Sequence, residues 1–171
     1  MSLANRVAKA KQIDKWVKIG NVDRKGASYS LWTATNGTEN NYEVTVKSNK
    51  RKVNIPFGDD SLPCFVFNVE CKKVTGHCNC QGNSRNTVCY HGFFALVQSL
   101  KEVDMKIAFY ENVFDAVHSL SFGGSLVKVQ STQGNGIVWA RVYRPKAEKK
   151  VDYKANADLM RGTIKENKGI D

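Results

Sequence analysis

Apolar and polar positions along this chain repeat at two periods, and the changes of period divide it into elements. "YSLWTATNGTENNYEVTVKS" holds two β-rich runs, Tyr29 to Thr35 and Tyr42 to Lys47, around the turn-forming "NGTENN", and predicts a hairpin. "CFVFNVECKKV" predicts a further strand. Successive strand side chains point to opposite sides, so Phe65, Phe67, Val69 and Cys71 share one face and Cys64, Val66, Asn68 and Glu70 the other. Cys71 reads on this pattern as a core thiol. "SLVKVQSTQGNGIVWARVYRP" alternates on both sides of Gly134, Asn135 and Gly136 and predicts a second hairpin, closed by Pro145.

The helical period appears in three places. From Lys11, at about 100° per residue, Lys11, Lys15 and Lys18 fall on one side and Ile13, Trp16 and Val17 on the other, with Gly20 and Asn21 as the stop. "HGFFALVQSL" predicts a short helix carrying Phe93, Leu96, Val97 and Leu100 on one stripe. "MKIAFYENVFDAVHSL" predicts another, with Ile107, Tyr110, Phe114, Val117 and His118, ended by Phe122 to Gly124. The elements add up to an α+β fold in which a small antiparallel sheet is accompanied by helices, as one domain over residues 1–145. Residues 146–171 are rich in charge and poor in large apolar groups, and are expected to form a flexible tail.

Composition narrows the function. With 171 residues, 42% of them apolar and 25% charged, the chain can bury a core without metal or disulfides throughout. "MSLANRVAKAKQIDKW" is broken by charge every few residues, so neither a signal peptide nor a membrane partner is expected. Five cysteines, an odd number, suit a reducing compartment, which points to the cytoplasm, or to a nucleus if the host has one.

The net charge of +10 is uneven: residues 1–52 hold 11 basic against 4 acidic groups, whereas the middle of the chain is nearly neutral. Such a surplus attracts polyanions, nucleic acid above all, through release of condensed counterions. The expected phosphate contacts are Lys11, Lys15, Lys18, Arg24 and Lys25, then Lys47, Lys50, Arg51 and Lys52 of the "KSNKRK" segment, and Arg85. Tyr29, Trp32 and Tyr42 are the aromatics that could stack on bases if single strands are bound.

The clearest chemistry lies in "GHCNCQGNSRNTVCYHGFF", residues 76–94, which gathers three of the five cysteines and two of the three histidines. The donors space as Cys78-x-Cys80, eight residues, then Cys89-x-His91. Residues i and i+2 of a strand share a face about 6.6 Å apart at Cα, a gap two thiolates can close around a tetrahedral zinc. Inside a helix the same spacing diverges by about 200°, so Cys89 should precede the helix and His91 sit in its first turn. Three thiolates and an imidazole leave a Zn²⁺ site at −1, which suits the positive end of that helix, and four protein donors leave no open coordination position. The site is therefore expected to be structural. His77 and Cys64 are alternative donors, and His118 reads as an ordinary helix histidine. The chain shows no G-x-S-x-G, P-loop, dinucleotide fingerprint or zinc-deaminase pattern, so a binding protein is expected rather than an enzyme.

"CNCQGNSRNTVCYH" resembles the signature of the SWIM-type zinc finger, C-x-C-x(n)-C-x-H, and "YSLWTA", "YEVTV" and "GFFAL" are similar to that family's strand pair and following helix. The resemblance covers about residues 29–100. It implies a β-β-α fold around zinc with Cys78, Cys80, Cys89 and His91 as ligands, and a role in binding DNA or proteins as an accessory factor. DNA is thus expected ahead of RNA, with a protein–protein adaptor as the competing expectation. The chain departs from the family in carrying some thirty extra residues, Ser48 to His77, before the first cysteine pair.

Overall fold

A computed structural model describes residues 2–23, 26–35, 37–54, 61–74, 83 and 86–145. The segment holding Cys78 and Cys80, as well as Arg24, Lys25, Arg85 and the 146–171 tail, lies outside these described residues. The fold is α+β, with a seven-stranded, mostly antiparallel sheet and three helices among the described residues.

The chain opens with α1 (Leu3–Lys11), where the Ser2 hydroxyl accepts a hydrogen bond from the Asn5 amide at 3.1 Å and supplies the N-cap. Four strands follow as a meander: β1 (Trp16–Asp23), β2 (Gly26–Thr35), β3 (Thr38–Asn54) and β4 (Ser61–Lys73). The β2–β3 ladder runs down to Thr35 opposite Thr38, with Gly37 at φ +77°, so the predicted hairpin forms with a tighter turn than "NGTENN" suggested. Next come α2 (Tyr90–Lys101), β5 (Lys106–Tyr110), α3 (Val113–Ser119), a 3₁₀ turn (Leu120–Phe122), β6 (Ser125–Ser131) and β7 (Ile137–Tyr143). The spatial order is β1-β2-β3-β4-β6-β7-β5, and β4–β6 is the one parallel pairing.

Two predicted helices are corrected. The stretch from Lys11 to Gly20 is the end of α1, a short link and strand β1, so Lys11, Lys15 and Lys18 share no helical face. "WVKIGNVD" also alternates, and pairing Trp16 and Lys18 with Leu31 and Tyr29 of β2 settles the ambiguity through long-range hydrogen bonds. Residues 106–110 form edge strand β5 rather than the first turns of a helix. The helix begins only at Val113, where the Asn112 side chain caps the Asp115 amide at 2.9 Å.

The strand parity expected of β4 holds. Phe65, Phe67, Val69 and Cys71 all join the main core, which α2 covers by laying Phe93, Leu96 and Leu100 over Tyr29, Leu31, Val44 and Val127. Cys64 belongs to a smaller cluster on the opposite face, with Val113, Ala116 and Leu126 beneath α3. Burial there pushes the Cys64 thiol up to about 11, which keeps it protonated and inert.

One polar latch ties β1, β2 and α2 together. The Tyr29 hydroxyl, on a fully buried ring, donates to Glu102 Oε2 at 2.5 Å, and Lys18 Nζ ion-pairs with the other carboxylate oxygen. Burial and the bond to Glu102 raise the tyrosine above its ordinary range. Partial burial works to raise Glu102, but the bonds from Lys18 and Tyr29 outweigh it and hold the carboxyl low. A depressed carboxyl stabilises the fold above its unfolded value and loses that contribution as pH falls through the folded one. Tyr29→Phe is expected to cost about 1.5–3 kcal/mol and to weaken this acid dependence, as read from chemical denaturation between pH 3 and 7.

Candidate metal centre

Three donors converge where β4 runs beneath the start of α2. The Cys71 sulfur, the Cys89 sulfur and a ring nitrogen of His91 lie within 4.8 Å of one another, close enough to hold a metal ion. All three residues are at most 3% exposed. Two soft thiols and an imidazole form a donor set that suits Zn²⁺ and other thiophilic ions.

Local structure explains the placement. Cys89 is the N-cap of α2, its sulfur accepting the Gly92 amide at 3.4 Å, and His91 lies in the first turn, as the Cys-x-His spacing requires. The positive end of the α2 dipole thus faces the donors. Gly92 is needed for close approach: a Cβ there would come within 2.6 Å of Val69 Cγ1. The His91 ring is stacked on Tyr42 at 3.9 Å and flanked by Tyr90 at 4.1 Å. Its Nε2 lies 3.1 Å from the Thr33 hydroxyl, the kind of outer contact that orients a ligating imidazole.

Cys71 has two roles. It is fully buried and joins the apolar core, as strand parity predicts, and its sulfur also faces Cys89 and His91. Sequence reasoning passed over the second role because Cys71 lies seven residues outside the spaced pairs. The available signal was that Cys71 and Val69 point to the same face as the core over which a following helix must pack.

Asn83 acts as a hub. Fully buried, it donates from Nδ2 to the Val69 carbonyl at 3.0 Å and to Gln133 Oε1 at 2.8 Å, and its Oδ1 accepts the Cys89 amide at 3.5 Å. Ser131 donates to the Asn83 carbonyl, and the Cys71 amide donates to the same Gln133 oxygen at 2.8 Å. The chain before Cys89 is thereby fixed to β4 and to the β6–β7 turn together. Asn83→Ala strands buried partners and is expected to cost about 2–3 kcal/mol, measured by urea unfolding; a cost under about 0.5 kcal/mol would show the hub to be incidental.

Arg6 of α1 brings positive charge to the same place. Its Nη1 donates to the Val88 carbonyl at 2.6 Å and its guanidinium lies 5.4 Å from the Phe93 ring centre. Burial lowers its pKa, while Glu111 and Cys89 act in the opposite sense.

The expected phosphate-contacting residues are dispersed. Lys11 ends α1, Lys15 pairs with Glu39 at 3.0 Å at an exposed site and lies over Trp32, and Lys18 is engaged with Glu102. Lys47 is exposed on β3. Lys50, Arg51 and Lys52 are strand positions of β3, opposite Phe65, Cys64 and Pro63, rather than a turn. Of the three aromatics, Tyr29 is core and cannot meet a base, Tyr42 is stacked on His91, and Trp32 remains half-buried on the opposite face of β2. No helix among the described residues is long and apolar enough to cross a membrane.

No family model, curated protein or solved structure matches the chain.

Proposed function

We propose that this chain is a zinc-stabilised nucleic-acid-binding module of the SWIM type, in which Cys89 and His91 join Cys78 and Cys80 around a structural Zn²⁺ and a basic surface contacts phosphates. The observation that carries the metal reading is the burial of Cys89 and His91 at the capped start of α2, with a third donor, the Cys71 thiol, beside them. Donors so enclosed suit an ion that holds structure rather than one that meets substrate. On this reading Cys71 is a neighbouring neutral thiol, since a fourth thiolate would raise the buried charge to −2.

Substitution separates the donors. Cys71→Ser should retain about one zinc per chain, whereas Cys78→Ser, Cys80→Ser and His91→Ala should each lose it, as measured by metal analysis of purified protein. Zinc lost from Cys71→Ser alone would move the fourth position to β4. The nucleic-acid reading rests on the +10 charge. Affinity should fall steeply with salt, with a log–log slope of about −0.7 per phosphate for single strands and −0.9 for duplex.

A second reading, a protein adaptor, draws on edge strand β1, where Val17 and Ile19 are 53% and 52% exposed. A flat salt response, with partners retained after nuclease treatment, would favour it.

A further inference from the structure

We infer that Cys71 and Cys89 form a redox pair: Cys89 reduces a peroxide, Cys71 resolves the product, and the disulfide that joins β4 to the start of α2 displaces the ion. The pairing stands on the geometry. Its effect on the ion rests on the metal reading above, and it gives a task to the one nearby thiol which that reading leaves outside the ligand set.

The two sulfurs lie within 4.8 Å of each other, and both residues are reduced. A disulfide needs about 2.05 Å between sulfurs, and moving a cysteine side chain from one staggered well to the next closes a gap of that order without shifting the strand or the helix. The surroundings divide the roles. Cys89 caps α2, its sulfur accepts the Gly92 amide at 3.4 Å, and the Arg6 guanidinium reaches the adjacent Val88 carbonyl at 2.6 Å. As a metal ligand Cys89 is a thiolate, and the helix end and the cation suit that charge. Cys71 lies fully buried in the apolar core with its sulfur toward Cys89 and His91. On the metal reading Cys78 and Cys80 are bonded to the ion, so Cys71 is the thiol that can attack without first breaking a metal bond. Exposure of 3% or less at both positions admits only a water-sized oxidant, which makes hydrogen peroxide the reactant.

The chemistry closes in two steps. The Cys89 sulfur attacks one peroxide oxygen, the O–O bond breaks, and hydroxide leaves a sulfenic acid behind. The Cys71 sulfur then attacks the Cys89 sulfur, the S–O bond breaks, and the Cys71 proton departs with the hydroxyl as water. Two thiol sulfurs lose one electron each and the peroxide gains both. Cys89 no longer carries a charge to offer the metal, which leaves two thiolates and an imidazole to hold it.

The full-length zinc-loaded protein should be treated with graded hydrogen peroxide, zinc release followed with a chromogenic chelator, and remaining thiols blocked in acid before peptide mapping. The Cys71 and Cys89 peptides are expected to be joined, with about one zinc freed per bond formed, and dithiothreitol should reverse both changes. Cys64, beneath α3 on the opposite face of the sheet, should stay reduced throughout and serves as the internal reference. In Cys71→Ser the sulfenic acid lacks its resolving thiol, so Cys89 should go on to the sulfinic acid and dithiothreitol should no longer restore zinc. Zinc released with Cys71 still open to the blocking reagent, the new bond lying among Cys78, Cys80 and Cys89, would overturn the pair and leave the metal reading in place. A protein that takes up no zinc yet joins Cys71 to Cys89 would overturn the metal reading and keep the pair. Cys71 and Cys89 both unreacted, in zinc-loaded and chelated protein alike, would overturn the pair.

Discussion

Chelating the metal is expected to lower the melting temperature by about 10 °C or more, equivalent to about 3 kcal/mol or more for a chain of this size. The loss should be local in origin. Cys89 and His91 sit at the N-cap and first turn of α2, and Asn83, which accepts the Cys89 amide, is itself bonded to β4 and to the β6–β7 turn. Without an ion, the start of α2 buries the Cys89 thiol and the His91 imidazole beside Cys71 without the metal bonds that would tie these segments together. Amide exchange should therefore accelerate first at residues 88–94 and along β4, while the β6–β7 ladder keeps its protection longest. Cys89→Ser should reproduce the effect without a chelator. Full protection of α2 in demonstrably metal-free protein would refute a structural ion.

Gly136→Ala should be comparably damaging for a different reason. An added Cβ would lie 2.2 Å from the Thr87 carbonyl carbon and 2.3 Å from its oxygen, and both are backbone atoms that cannot rotate aside. Overpacking of this kind costs about 3 kcal/mol or more when the main chain must move, and here should lower the melting temperature by about 10 °C. Thr87 is two residues before Cys89, so the displacement reaches the donors. On the proposed metal reading, metal affinity should fall with stability, which an alanine substitution at exposed Asn135 should not cause. A Gly136→Ala protein that melts within about 2 °C of wild type would mean that the turn and the start of α2 do not depend on each other.

Gly136 also marks the limit of sequence reading. Its place in "QGNG" announces a turn, and a turn is present, but the approach of Thr87 joins segments some fifty residues apart and has no local signal. The same division runs through the chain. The two hairpins, the parity of β4 and the placing of Cys89 before His91 at a helix start were legible because each depends on short-range periodicity or spacing. Strand β1 and strand β5 were not, since "WVKIGNVD" and "KIAFY" satisfy a strand and a helix equally until β2 and β7 supply partners. Asn112, three residues before Asp115, carried a usable capping signal that would have started α3 at its true position. The proximity of Cys71 to Cys89 could not be read from spacing, because it arises only when α2 folds back over β4.

The parallel pairing of β4 with β6 sets the order in which the chain can be completed. Its rungs, such as Asn68 opposite Gln130, join residues 62 positions apart, so no turn can zip this seam. During synthesis the four-stranded meander would emerge with one side of β4 unpaired and wait through about 60 residues, roughly 3–12 s at ribosomal speed, for β6 to arrive. In that interval the open margin of β4 could pair with another nascent copy. Because Asn83 contacts both β4 and the β6–β7 turn, an ion captured at the start of α2, as proposed above, would hold the two halves in position while the seam closes, linking metal supply to the yield of correctly folded chains.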